Sequence, residues 1–200
     1  MESAVKVVEN ENYRFSIFHD TDPLNPRTDY DHAGLMVCGH RRYRLGDEQS
    51  SNEFNSWAEV KADILRQHRD AIILPLRLYD HSGISMSTTT SYPYNDQWDS
   101  GQVGWIYTTK EMMTKLWGDS LPRCWKKKAV EVLISEVEEY DTYLRGEVYG
   151  FKLEKKSVCN LGHTHYEVEE SGWSFMGDWE KSGILDELPE ELKQLNKKAV

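Results

Sequence analysis

No run of this 200-residue chain approaches the ~18 consecutive apolar residues of a membrane-spanning helix, so no membrane role is expected. Its first residues, MESAVKVVENEN, carry neither a basic stretch nor an apolar one, and no secretion signal is read there. Cysteine is scarce: Cys38, Cys124 and Cys159 are an odd number without framework spacing, which argues against a disulfide scaffold and for a reduced, cytoplasmic setting. A P-loop, a dinucleotide glycine fingerprint, GxSxG and HExxH are all missing, which lowers the standing of the commonest nucleotide-dependent and hydrolytic classes. Excess basic charge is missing too. The formal net charge is −10, and both halves of the chain are acidic, the wrong sign for a generic binder of phosphate backbones.

What is present is aromatic. Seven Trp, 11 Tyr and 5 Phe supply large apolar bodies to a chain whose hydrophobic content is only 38%. Separated strand and helix patterns predict an α+β fold: a single compact domain over 1–200, with a mixed or antiparallel sheet packed against two or three helices. Residues 1–12 read as a loose N-terminal segment and 181–200 as a C-terminal helical appendage. Tyr13, Phe15 and Ile17 alternate with polar residues as in a half-buried strand. The stretch 71–79 reads as a buried strand in which Pro75 forces an edge, a bulge or a break. Over 53–69, Trp57, Val60, Ile64 and Leu65 form a helical stripe. Thr108 with Glu111 fits a capping box for a short helix ended by Gly118. Pro122 opens the longest helix, to about 143, whose lysines 126–128 and acids Glu136, Glu138, Glu139 and Asp141 all oppose the macrodipole. Pairing with neighbouring elements is the expected remedy. Leu185, Leu188, Leu192 and Leu195 mark a last helix that Pro189 starts or breaks.

The block 71–107 is the densest in chemistry. Its apolar strand delivers Asp80, His81, Ser82 and Gly83, and a polar loop leads to Trp98, Asp99, Ser100, Gly101 and Gln102. Consecutive residues of an extended chain point to opposite sides, so Asp80, His81 and Ser82 cannot form a relay among themselves. A site there needs Asp99 or Ser100 from the second turn. The catalytic reading takes Asp80, His81, Asp99 and Ser100. The ligand-binding reading takes Arg41, Arg42, Ser82, Gln102 and Trp98. Turn chemistry supported by Gly83 and Gly101 is the first duty assigned to both segments.

Arg27, Arg41, Arg42 and Arg44 would grip a phosphate or carboxylate if they converged. Cys38, His40, Cys159 and His163 offer zinc-type ligands, with His165 nearby, but their spacing matches no ribbon or finger. Neither a metal nor another cofactor is expected. The acids Asp20, Asp22, Asp29 and Asp31 with His32 read as solvated loop. Trp173, Phe175 and Trp179 read as closers of a core, with stacking or an interface as the sharper alternative.

Four stretches, LPLRLYDHSGISMSTT, WDSGQVGWIY, EVEEYDTYLRGEVYGF and SGWSFMGDW, resemble in the same order a family of bacteriophage, plasmid and other mobile-element proteins. The likeness runs from about 20 to 177. The family carries no established activity, so no catalytic residue is transferred. This chain departs from it at Gly172 and Ser174, where Cys and Gly are expected. The resemblance implies an accessory protein acting inside the host bacterial cell. Taken with the spread negative charge, the missing catalytic signatures and the residues of the 71–107 block, two functions are expected. The first is stoichiometric binding to a host protein, a basic nucleic-acid-processing factor, as in anti-CRISPR or anti-restriction inhibitors. The second is a small hydrolase of a nucleotide or phosphorylated signal, with its site at Asp80, His81 and Asp99.

Overall fold

The computed structural model describes residues 3–50, 54–89, 99–118 and 121–196. Trp98 lies outside the described residues. The α+β class holds, with two sheets where one was expected. The chain divides into two compact units, residues 1–24 with 146–200 and residues 25–145.

The first unit is built on an antiparallel sheet in the order β1 (Lys6–Glu9), β2 (Tyr13–His19), β8 (Val148–Val158) and β9 (Thr164–Met176). Residues 6–9 of the segment expected to be loose are thus an edge strand, with Val8 in the core. Phe15, Ile17, Phe151 and Leu153 alternate onto one face, as the period of a half-buried strand requires. That face is covered from the chain's end: a 3-10 turn (Ile184–Glu187) and α4 (Glu190–Asn196) insert Ile184, Leu188 and Leu192. Residues 184–192 accordingly cover the core, and Pro189 precedes α4, its carbonyl accepting from the Leu192 amide. Trp179 and Phe175 pack against this core, whereas Trp173 stays on the surface, 41% exposed.

The second unit holds a five-stranded sheet in the order β4 (Glu48–Gln49), β3 (Leu35–Cys38), β7 (Ser100–Thr108), β5 (Ile72–Asp80) and β6 (Ile84–Ser87). Only β3 and β4 run parallel. α3 (Trp125–Leu144) packs Leu133, Val137 and Tyr140 on Met36, Cys38, Leu76 and Ile106. α1 (Trp57–Gln67) packs Val60 and Ile64 beside Tyr107, Val37 and Ile73. Pro75 falls where β5 pairs with β7 alone, and the register slips just after it, between Leu76 and Arg77.

Local signals place most helix ends. Ser56 caps α1 by accepting from the Glu59 amide, and Glu59 reaches back to the Asn55 amide at 2.8 Å. α2 (Lys110–Trp117) is capped by Thr109, one residue later than predicted, and ends at Gly118 with φ 59°. Thr108 is otherwise engaged: its buried hydroxyl donates to the Ala33 carbonyl at 2.6 Å. α3 starts three residues past Pro122. Its contrary charges are partly paired with neighbouring elements, as expected: Glu136 binds Arg27 and Asp141 accepts from the Met86 amide at 2.6 Å. Lys128 with Glu131 and Asp141 with Arg145 pair locally along the helix instead.

Candidate functional site

The site arises because β3 is shorter than β7. β3 pairs with β7 only from Leu35 to Cys38, opposite Gly104 to Tyr107, so β7 continues back to Ser100 with β5 as its sole partner. The chain leaving β3, Gly39 to Arg42, and the end of β5 at Asp80 then wall a cleft of about 460 Å³ over Ser100, Gly101 and Gln102. Gly104 permits the close crossing at its base, since a Cβ there would come within 2.2 Å of the Val37 carbonyl oxygen. α1 braces the cleft from outside: the Trp57 indole donates to the Gln102 carbonyl at 2.9 Å, and the Trp105 indole donates to the Trp57 carbonyl at 2.7 Å.

Two turns meet at its rim. β5 and β6 form a hairpin closed by His81, Ser82 and Gly83, with Asp80 opposite Ile84. Ser82 takes φ 58°, a conformation that costs a non-glycine residue roughly 1 kcal/mol. The Asp80 amide donates to the Asp99 carbonyl at 2.8 Å. The His81 Nδ1 lies 2.8 Å from the Asp99 carboxylate, which favours the tautomer protonated on that nitrogen and leaves Nε2 as an acceptor. On the opposite wall the Arg42 guanidinium binds the Asp80 carboxylate, and the Tyr43 hydroxyl lies 3.4 Å from its other oxygen. The His40 imidazole accepts from the Arg42 and Tyr43 amides, both at 3.3 Å, and stacks on the Tyr43 ring. Its pKa is held below the usual histidine value, chiefly by burial and then by Arg42 and Arg41, against an opposing pull from Asp80. Arg41 is exposed, lines the cleft and makes no ion pair among the described residues.

The structure therefore brings Arg41, Arg42, Asp80, Asp99, Ser100 and Gln102 to one cleft. His81 reaches it only through Asp99, and otherwise lines a second recess with Tyr79, Asp141 and Arg145. Ser82 points from the exposed hairpin tip and its hydroxyl makes no hydrogen bond among the described residues. Ser100 is only 9% exposed. Arg27 does not converge with the other arginines. It is buried, donating to Asp47 at 2.9 and 2.5 Å, to Glu136 at 2.9 Å and to the Gly34 carbonyl at 2.7 Å. Arg44 is exposed and does not line the cleft.

The four zinc-type ligands divide between the units: Cys38 and His40 belong to one, Cys159 and His163 to the other. Burial, with Asp47 nearby, pushes the Cys38 thiol up to about 12, the opposite of what a metal-binding thiolate needs. Cys159 and His163 close the β8–β9 hairpin, with the Cys159 amide on the His163 carbonyl. The acidic loop residues accept backbone amides: Asp20 from Asp22 and, across the first unit, from Ser174, and Asp29 from Asn25. Among the described residues no group of three or more His, Cys, Asp or Glu side chains is placed to hold a metal ion.

Tyr43 and Trp57 are the site residues that sequence reasoning passed over. Tyr43 stands inside the arginine cluster, and Trp57 reads only as part of a helix stripe. Compared with family models, curated proteins and solved structures, the chain matches none.

Proposed function

We propose that this protein acts by binding: an accessory protein of a phage or other mobile element that engages a host protein stoichiometrically, in the manner of an anti-CRISPR or anti-restriction inhibitor. One observation carries the preference for binding. The charges of the cleft are matched in pairs drawn from different segments, Arg42 with Asp80 and His81 with Asp99, while Arg41 remains without an ion pair among the described residues. Pre-oriented ion pairs on an open wall give register and specificity to a protein contact. The net charge of −10 favours a basic partner, and the sequence resemblance supplies the mobile-element setting.

The test is a titration of host nuclease or restriction activity with purified protein. A sharp endpoint at a fixed molar ratio, with binding weakened by salt, is the expected result. Inhibition by far less than one molecule per target would overturn the binding reading.

The second reading, a small hydrolase of a nucleotide or phosphorylated signal, is favoured by a single feature. The Asp99 carboxylate orients His81 with its Nε2 available as a general base, and Arg41 and Arg42 stand in the adjoining cleft for a phosphate. His81→Ala and Asp99→Ala separate the two. Loss of effect with partner binding intact favours the enzyme, and an unchanged effect removes it.

A further inference from the structure

The four-stranded sheet has one face sealed by Ile184, Leu188 and Leu192. Its other face breaks the rule for a half-solvated antiparallel sheet, in which outward positions are polar. The registers place Val7 opposite Ser16, Glu154 opposite Val168 and Lys156 opposite Tyr166, all on the side away from Phe15 and Phe151. Val7 is 46% exposed, Val168 54%, Tyr166 41% and Trp173 41%. Trp173 packs against Gly150, where a Cβ would come within 2.0 Å of its ring, and the indole remains 41% exposed. A sheet with large apolar groups on both faces is a middle layer that lacks one cover.

The charges on this face limit what covers it. Arg14 binds Glu154 at 2.7 Å and stacks on Tyr166 at 3.6 Å, and Lys156 binds Glu9 at 3.0 Å. Lys152 has no ion pair among the described residues and lies over the rings of Phe18 at 5.3 Å and Trp173 at 5.7 Å. Ser16, directly across from it, is 3% exposed. A phosphate backbone needs free cations, and two of the three here are already neutralised. On a chain of net charge −10, a face with three cations and two carboxylates is where identical copies do not repel.

We propose that this face is a homodimer interface: the outer surface of β1, β2, β8 and β9 packs on the same surface of a second copy about a two-fold axis. Such a contact uses one list of residues twice. The donors Ser16 and Lys152 stand near the centre, the carboxylates Glu9 and Glu154 stand beside them, and each copy supplies acceptors for the other. The aromatic and arginine content, Trp173, Tyr166 and Arg14, matches the residue types that dominate binding energy at such contacts. The inference concerns residues 1–24 and 146–200 alone and does not rest on the reading of the cleft.

The experiment is sedimentation equilibrium on the full chain through the micromolar range, with Val7→Lys and Val168→Lys as variants. Both side chains are exposed, so each variant should fold, checked by circular dichroism. The expected mass is twice 23.4 kDa, with each lysine weakening self-association at least about tenfold. A single-chain mass at every concentration overturns the proposal. So does a dimer that both variants leave intact, because its contact then lies elsewhere.

Discussion

Arg27 and Glu136, 109 positions apart, meet at 2.9 Å in the interior of the second unit, and the same carboxylate also accepts the amides of Ala33 and Gly34. The Arg27 side chain is 1% exposed and those of Asp47 and Glu136 are 12% exposed. Removing the arginine strands two carboxylates in a space built for three charges. Arg27→Ala is expected to cost about 3–5 kcal/mol, read by urea denaturation. Glu136→Gln keeps an acceptor for the two amides and should cost less.

The pair His81 and Asp99 behaves differently. Its side chains are 62% and 36% exposed, so the contact adds little to folding. His81→Ala and Asp99→Ala should each change stability by only about 0.5 kcal/mol, measured in the same way. Any larger effect on biological activity would then be a property of the site itself.

Alkaline conditions should loosen the second unit. The Cys38 pKa of about 12 in the folded chain lies above the ordinary 9.0, because burial opposes the thiolate. Burial raises Tyr140 and Tyr107 as well. The folded state holds these protons more tightly than the unfolded state. Their contribution is therefore complete below about pH 9 and is lost as pH rises towards 12. Thermal unfolding followed across that window should show a falling Tm, and Cys38→Ala should flatten the first part of the decline.

His40 has the opposite sign. Its folded pKa lies below 6.5, so the neutral ring that caps the Arg42 and Tyr43 amides is favoured above that pH. This contribution is lost as pH falls through the folded value. An NMR titration of the His40 ring should give a midpoint under 6.5, with the Arg42 and Tyr43 amides shifting at the same pH.

Gly104 and Gly101, three residues apart on β7, should respond in contrast. A methyl group at Gly104 would collide with the Val37 carbonyl oxygen, where only backbone movement can make room, so Gly104→Ala should cost about 3 kcal/mol or more. Nothing stands within 4 Å of a Cβ on Gly101, so Gly101→Ala should leave stability nearly unchanged while adding bulk inside the cleft. Chemical denaturation of both variants compares them directly.

The sequence made the local part of this architecture legible. Alternation identifies β2, the stripe at Trp57 identifies α1, and Gly118 marks the end of α2. The meeting of the two turns was legible too, because side-chain geometry forbids a relay within Asp80, His81 and Ser82 and so points to Asp99. Long-range partners were not. Arg27 looks like one more surface arginine until Glu136 is brought beside it, and the choice of Thr109 over Thr108 as a cap depends on Ala33, 75 positions away. The division of the cysteine–histidine set between the two units was hidden for the same reason, since neighbours in sequence carry no information on which unit each half joins.

The interruption of the first unit by residues 25–145 has a consequence for synthesis. β1 and β2 leave the ribosome before the inserted unit, yet β8, which must lie beside β2, follows only after the whole of it. At roughly 5–20 residues per second that delay lasts several seconds or more, far longer than a small domain needs to fold. The inserted unit can be complete while the apolar side chains of β2 still wait in an open hairpin, which makes the interval before β8 emerges the time when the nascent chain is most in need of a chaperone.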